Sequence, residues 1–342
     1  MQGAIIGFGT IAQGHMVGYS RIPGLSISAV VDVSSERRRY AEDVFGVRVY
    51  RDFAELVANE DVDFIDICTP PSSHAEYSSL GLAHQLHVLC EKPVFLPGKD
   101  GYHSLLSEIS SSNGVFYPCH VYKFAPVLET VKRIVVDPGF GRVLGAQFRT
   151  LRRGHARGVP EWRPHWRREN GISLGGILRD HGPHSIYLAM NLTGCTPRAV
   201  SCLTGQMRRD DFDDEDTALV RLRCNDDVEI AFTLSWASGH RSTGYSILGG
   251  SGCVIVDGDE LTYQTGGDVV RRSIDSGFDD PSHKEWFHRM LLDFRDVVAN
   301  PHRQWELVEE ALLTSVLIDG AYESAQQGGA WIDVEVPAVA AS

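Results

Sequence analysis

The chain has 342 residues, 43% of them hydrophobic and 23% charged, a globular composition long enough for about two domains that each bury a core. Its formal net charge of −13 argues against broad binding to nucleic acid or to an anionic membrane, since both need a basic field. The seven cysteines (Cys68, Cys90, Cys119, Cys195, Cys202, Cys224, Cys253) are scattered and never form a CxxC pair, so reduced thiols are expected, not a disulfide framework or a structural zinc site.

Short apolar or β-branched runs at residues 4–6, 26–31, 64–67, 86–90 and 115–118 alternate with segments of helical composition at 11–20, 35–45, 53–59, 74–84 and 99–110. This rhythm predicts a parallel sheet covered by helices on both faces. Past residue 121 the pattern changes to a helix over 125–136, a basic stretch over 149–169 and a Gly/Pro-punctuated helix near 175–192. Strand-like stretches at 199–204, 217–223, 228–236, 245–248 and 253–256 are separated by turns rich in Gly, Asn and Asp, which predicts an antiparallel sheet. Helices over 283–298 and 305–326 follow, with no internal repeat. No signal peptide is visible, and no run approaches the ~18 apolar residues of a membrane span, so a cytoplasmic chain with no membrane or nucleic-acid partner is expected.

The first strand runs into Gly7-Phe8-Gly9-Thr10-Ile11-Ala12, a GxGxxA turn. Gly7 permits the tight turn, Gly9 lets the backbone approach a pyrophosphate, and Ala12 lets helix pack on strand. The helix beginning near Thr10 and Ile11 then presents free N–H groups to phosphate. Asp32 closes the second strand, where a carboxylate binds both ribose hydroxyls and repels a 2′-phosphate. We therefore expect a doubly wound α/β Rossmann domain over residues 1–121 that takes NAD. Ser34, Ser35, Arg37 and Arg38 follow and leave NADP open, although the arginines read more simply as a solvated helix face.

Thr69-Pro70-Pro71 with His74, and Glu91-Lys92-Pro93, follow two later strands. Ligands of an open parallel sheet bind beyond the carboxyl ends of its strands, so these residues should face the cofactor. Beside a cationic nicotinamide the charged form of Lys92 is disfavoured, which suits it as a hydrogen-bond donor or proton relay to an alcohol oxygen. Hydride transfer from a secondary alcohol also needs a base near neutrality, for which His184 is the candidate and Asp180 the carboxylate that supports it.

The fingerprint, Thr69-Pro70-Pro71 with His74, Glu91-Lys92-Pro93, and Gly175-Gly176 followed by Asp180 and His184 together resemble the glucose–fructose oxidoreductase/inositol dehydrogenase/rhizopine-catabolism (Gfo/Idh/MocA) family, as does Ala321-Tyr322-Glu323-Ser324-Ala325. The resemblance implies that Lys92, Asp180 and His184 are the catalytic trio, that His120 and Tyr122 line the pocket, and that the second domain, residues 122–342, is α+β with a large, mostly antiparallel open sheet. It also implies that the sheet's open face packs on a second subunit, as a homodimer or homotetramer. The apolar alternation Val228, Ile230, Phe232, Leu234, Trp236 looks too rich to face water on both sides. The expected activity is NAD-dependent oxidation of a ring secondary alcohol of a sugar, cyclitol or related polyol, or the reverse ketone reduction. Rival readings are an epimerase or eliminating enzyme that recycles its NAD, and a non-catalytic sugar-binding regulator.

Pro183 departs from the family pattern. Proline lacks the N–H and disfavours a helical residue before it, so the helix is expected to kink or start afresh there, leaving His181 as a second candidate base. His155, His165, His181 and His184 share one stretch without metal-ligand spacing, and no metal is expected. Arg149, Arg152, Arg153, Arg157, Arg163, Arg167 and Arg168, with Trp162 and Trp166, make a basic exception in an acidic chain. Arg163 and Arg167 are candidate contacts to an anionic substrate group. The alternative is a loop paired with Asp210, Asp211, Asp213 and Asp214.

Overall fold

The computed structural model describes residues 1–208, 213–278 and 284–337. Strands β1 (Gln2–Ile6), β2 (Ser26–Val31), β3 (Arg48–Tyr50), β4 (Phe64–Ile67), β5 (His87–Glu91) and β6 (Phe116–Cys119) form a parallel sheet in the order β3-β2-β1-β4-β5-β6. Helices α1 (Thr10–Tyr19), α2 (Ser35–Phe45), α3 (Phe53–Asn59), α4 (His74–Ala83) and α5 (Lys99–Ser111) make the crossovers. Strands β4, β5 and β6 are almost wholly buried, as expected when helices cover both sheet faces. Strand order reverses at β1, so the cleft of this sheet opens between the carboxyl ends of β1 and β4.

The second sheet contains β7 (Val143–Leu151), β8 (Pro197–Gly205), β9 (Thr217–Cys224), β10 (Glu229–Ser235), β11 (Ser242–Gly249), β12 (Gly252–Asp257), β13 (Glu260–Thr265), β14 (Val270–Ser273) and β15 (Ile332–Asp333). Their order is β14-β13-β12-β11-β7-β10-β9-β8-β15. Every pairing is antiparallel except β7 with β10. Helices α6 (Pro126–Val135), α7 (Asn170–Ser173) and α8 (Ile177–Thr193) follow the first sheet, and α8 packs on β7, β9 and β10. Helices α9 (Lys284–Ala299) and α10 (Gln304–Gln326) return to the first sheet: α9 lies against α1, and α10 touches β6, β8 and α8. The helix expected from His283 is thus described from Lys284, His283 lying outside the described residues.

Three expectations need correction. The central strand β7 was not expected from the sequence, because its buried residues Ala146, Phe148 and Thr150 make only a faint apolar alternation. The residues Val228, Ile230, Phe232, Leu234 and Trp236 are all buried within the chain, on the face that α8 covers, so they do not argue for a second subunit. The opposite face instead exposes Leu144, Leu203, Leu219, Leu248 and Ile255. Finally, α8 neither breaks nor restarts at Pro183 but continues through it. The ring forfeits one N–H to the Arg179 carbonyl, and tertiary packing tolerates the loss: at Gly182 a Cβ would lie 2.5 Å from Ile318 of α10. All seven cysteines are free. No helix among the described residues is long and apolar enough to cross a membrane.

Candidate active site

At the cleft of the first sheet, Gly7 adopts φ +86, and a Cβ there would approach Thr69 Cγ2 to 2.7 Å. Only glycine fits a left-handed turn against that neighbour. A Cβ on Gly9 would meet nothing within 4 Å, so open space lies over this part of the backbone. Gly9 precedes α1 with no side-chain cap, leaving the first N–H groups around Thr10 and Ile11 available to an anion. The backbone N–H groups of Phe8 and Ser34 donate to Asp32 Oδ2 and Oδ1 at 2.7 and 2.8 Å, fixing the carboxylate at the end of β2. Thr69 Oγ1 is buried beside this turn without a protein partner. An open backbone cradle, an uncapped helix, a fixed carboxylate and an orphaned hydroxyl suit a dinucleotide.

Pro70 leads into the short turn before α4, and the His74 ring joins it to the next loop by hydrogen bonds to the carbonyls of Thr69 and Pro93, both 2.8 Å. Glu91 is committed inward: Oε1 lies 3.2 Å from His15 Nε2, and Oε2 accepts from the Lys92 backbone N–H at 3.2 Å. His15 is fully buried between Glu91 and Asp66, with Nδ1 2.7 Å from Asp66 Oδ2. Burial alone would lower its pKa, but the two carboxylates outweigh that and raise it to about 10. His15, Asp66 and Cys68 also bring potential metal-ligand atoms within 4.8 Å of one another, although Asp66 is already occupied by His15 and by the Tyr19 hydroxyl at 2.8 Å. Arg37 corrects the solvated-face reading. It is buried, its Nε donates to the Phe8 carbonyl at 2.9 Å, and its guanidinium lies 4.6 Å over the Tyr40 ring.

The catalytic candidates meet where β5 faces α8. Lys92 Nζ donates to Asp180 Oδ1 at 2.9 Å and to the Asp180 carbonyl at 2.7 Å. Asp180 Oδ2 also faces Arg167 Nε at 3.4 Å and His181 Nε2 at 3.6 Å. Burial raises the Asp180 pKa, but Lys92, Arg167 and His181 outweigh it and hold the carboxyl well below its ordinary range. His184 takes a different partner from the one expected: its Nδ1 lies 2.7 Å from the Tyr187 hydroxyl, and its ring packs 4.1 Å from that of Tyr122. Burial first, then Lys92 and His181, pushes the His184 pKa well down, so the imidazole is neutral. His181 is driven to about 3 by burial and the surrounding cations, against the pull of Asp180.

The helix that carries these groups starts at a crowded point. A Cβ on Gly175 would lie 2.3 Å from the Tyr322 hydroxyl, and one on Gly176 would lie 2.0 Å from the Glu215 carbonyl oxygen. Glu215 caps the helix, accepting from the Gly176 and Leu178 N–H groups at 3.2 and 2.9 Å. Tyr322 donates to the same carboxylate at 2.8 Å.

Of the other expected contacts, Tyr122 lines a cavity with His181 and His184. His120 lines a second cavity with Lys92, Pro93 and Pro183, bonded through Nδ1 to Glu310 at 2.8 Å and stacked 4.0 Å from Tyr187. Arg167 reaches the site through Asp180, whereas Arg163 is turned away to Glu169. Arg149 pairs with Asp257 at 2.7 Å. Asp210 and Asp211 lie outside the described residues, and Asp214 Oδ1 accepts from Asn170 at 2.9 Å. His15, Tyr187, Glu215 and Arg241 carried no signal in the sequence, because each is defined by a partner that only the fold brings near.

Residues 1–113 match the model of an oxidoreductase family with an NAD-binding Rossmann fold, GFO_IDH_MocA, and residues 128–255 match the GFO/IDH/MocA C-terminal domain. D-apiose dehydrogenase of Paraburkholderia graminis is 28% identical over 250 residues, 69% of this chain and 61% of that protein. Levoglucosan dehydrogenase of Pseudarthrobacter phenanthrenivorans is 25% identical over 199 residues, 56% of this chain. The chain thus spans 61% and 50% of the lengths of these two relatives. An oxidoreductase from Agrobacterium radiobacter, in complex with NAD+, L-tartaric acid and magnesium, superposes with TM-score 0.83 at 20% identity, over 97% of this chain and 98% of its own.

Proposed function

The chain belongs to the Gfo/Idh/MocA oxidoreductase family, and on that premise we propose that it is an NAD-dependent dehydrogenase of a ring secondary alcohol in a sugar, cyclitol or related polyol, working in reverse as a ketoreductase. The observation that carries this reading is the geometry of the trio: Lys92 held on Asp180 at 2.9 Å near a His184 ring that is fixed on the Tyr187 hydroxyl at 2.7 Å and whose pKa burial lowers. NAD, when bound, supplies the hydride acceptor at its nicotinamide. Gly7, Phe8, Gly9, Thr10 and Ile11 would hold its pyrophosphate, Asp32 its ribose, and Thr69, Pro70, His74 and Lys92 the edge of the cleft. The Asp32 carboxylate favours NAD over NADP, since it repels a 2′-phosphate.

Lys92 binds the reacting oxygen and stabilises negative charge as it develops there, while Asp180 holds the ammonium in place and aims it. In the tautomer with Nδ1–H donating to the Tyr187 oxygen, His184 Nε2 is free to take the hydroxyl proton. In the reverse direction the imidazolium so formed returns the proton from Nε2 to the carbonyl oxygen, while Nδ1–H keeps donating to the Tyr187 oxygen throughout. We take residues 1–121 as the cofactor domain and 122–342 as the substrate and assembly domain, working in the cytoplasm, where seven free thiols stay reduced. The relatives named above act on D-apiose and levoglucosan, which supports a sugar-like substrate. Formation of NADH from NAD with a panel of sugars and cyclitols tests the reading. Cofactor retained through purification, with turnover but no net NADH, would replace it with an internally recycling epimerase.

A further inference from the structure

Two arginines lie side by side at one end of the second domain's sheet, where β7 ends and the neighbouring β11 begins. Arg152 follows β7 and is only 6% exposed. Its Nη1 donates to the carbonyls of Leu151 and Ser242 at 2.8 and 3.0 Å, and its Nη2 to Thr243 Oγ1 at 3.0 Å. Arg241 precedes β11; its Nη2 donates to the Phe278 carbonyl at 2.9 Å, and its Nε is buried without a partner. All these acceptors are uncharged. Among the described residues neither guanidinium has a carboxylate within ion-pair distance, and the acid that acts on Arg152 is Asp180, already shared by Lys92 and Arg167.

Arg152 lines the same cavity as Tyr122, His181, His184 and Tyr245. Tyr245 Oη is buried there without a partner. Among the described residues, Lys92, Arg152, Arg167 and Arg241 thus gather cations near the site against the one carboxylate of Asp180. Burying guanidinium groups without anions is costly, and burial together with Arg241 lowers the Arg152 pKa. Such an arrangement is compensated when the anion arrives with the ligand.

We propose that the substrate carries a carboxylate, as in a uronate or aldonate, which binds between Arg152, Arg241 and Tyr245 while the hydroxyl to be oxidised lies at His184. The unpartnered donors favour carboxylate over phosphate: the Arg241 Nε–H and the Tyr245 hydroxyl, beside the Arg152 guanidinium, match two oxygens and one charge, not three oxygens and about two charges. The inference rests on the dehydrogenase reading for which hydroxyl reacts, but not for where the anion binds.

The test compares D-glucuronate with D-glucose, D-galacturonate with D-galactose, and includes glucose 6-phosphate, following NADH formation at saturating NAD. Calorimetric titration of the NAD-loaded protein with the same compounds accompanies it. The expected result is a kcat/KM for a uronate roughly 10- to 100-fold above that of its parent sugar, the scale of a charge-assisted hydrogen bond. In Arg241→Gln, and in Arg152→Gln where it folds, that ratio collapses toward one. Preference for the neutral sugar or for glucose 6-phosphate overturns the proposal while leaving the dehydrogenase reading intact. If no compound is oxidised, the dehydrogenase reading is in difficulty, and titration decides the carboxylate site separately. Uronate binding that is lost in Arg241→Gln supports it, and absence of uronate binding to the unmodified protein overturns it.

Discussion

Lys92 meets Asp180 twice, donating from Nζ to the carboxylate at 2.9 Å and to the backbone carbonyl of the same residue at 2.7 Å. The second bond aims the ammonium at the first turn of α8 whichever way the carboxylate rotates. It also joins the cofactor cleft to the helix that carries His184.

Lys92→Ala and His184→Ala should each lower kcat by roughly 10²-fold or more, the scale of a positioned acid–base group. NAD should still bind, because neither side chain supports the glycine turn or Asp32. Tryptophan fluorescence quenching by NADH would check binding, and steady-state kinetics the loss. Near-full activity in His184→Ala, with loss in His181→Ala, would move the base by one helical turn.

The acid limb of kcat/KM should lie well below the ordinary histidine range. The His184 pKa is lowered, so the neutral, proton-accepting form persists as pH falls through 6.5. A pH profile with an inflection at or above that point would show that another group limits the reaction.

Buried charge makes the next prediction one of stability. The folded-state pKa of His15 is raised to about 10 from 6.5, so its stabilising contribution is complete below the lower value and fades as pH rises through the higher. Thermal melts should therefore fall between these limits more steeply in the unmodified protein than in His15→Gln. The variant leaves Asp66 and Glu91 buried without their cation, and should lose about 3–5 kcal/mol near neutrality. Equal stability of the two proteins at pH 7 would show that the carboxylates do not need the imidazolium.

The site was legible where chemistry follows local backbone order. The glycine turn, Asp32, Lys92 and the spacing of Asp180 and His184 each follow a strand end or share one helix, and these were readable. Partners far apart in the chain were not. Glu215 caps α8 from the turn just before β9, Tyr322 joins it from α10, and Arg241 approaches Arg152 across two neighbouring strands. Local signal also failed at β7, whose Gly145, Ala146 and Thr150 give little apolar contrast, and at Pro183, where packing against α10 overrides a poor helix residue.

Gly176→Ala should disturb both fold and activity. A Cβ there would lie 2.0 Å from the Glu215 carbonyl oxygen, so backbone must move, at a cost of about 1–3 kcal/mol. The first turn of α8 moves with it, taking Asp180 off Lys92. Gly171→Ala is the control, because its Cβ would meet nothing within 4 Å. A Gly176→Ala protein as stable and active as this control would remove the close approach from the account of the site.

The last prediction concerns assembly. The face of the second sheet turned away from α8 exposes Leu144, Leu203, Leu219, Leu248 and Ile255. These residues lie on five of the six adjacent strands from β8 to β12, a breadth of apolar surface that monomers seldom leave in water. We expect a homodimer or homotetramer built on this face, seen by sedimentation at micromolar concentration. Leu219→Glu combined with Leu248→Glu should dissociate it, since both side chains are already exposed in the single chain and the folded subunit has no reason to lose stability. A monomeric unmodified protein contradicts the expectation, and an assembly that survives both glutamates moves the interface elsewhere. Arg163→Ala serves as a companion probe: Arg163 faces Glu169 rather than the cavity, so its loss should leave KM for substrate unchanged. A raised KM would bring that arginine back to the active-site mouth.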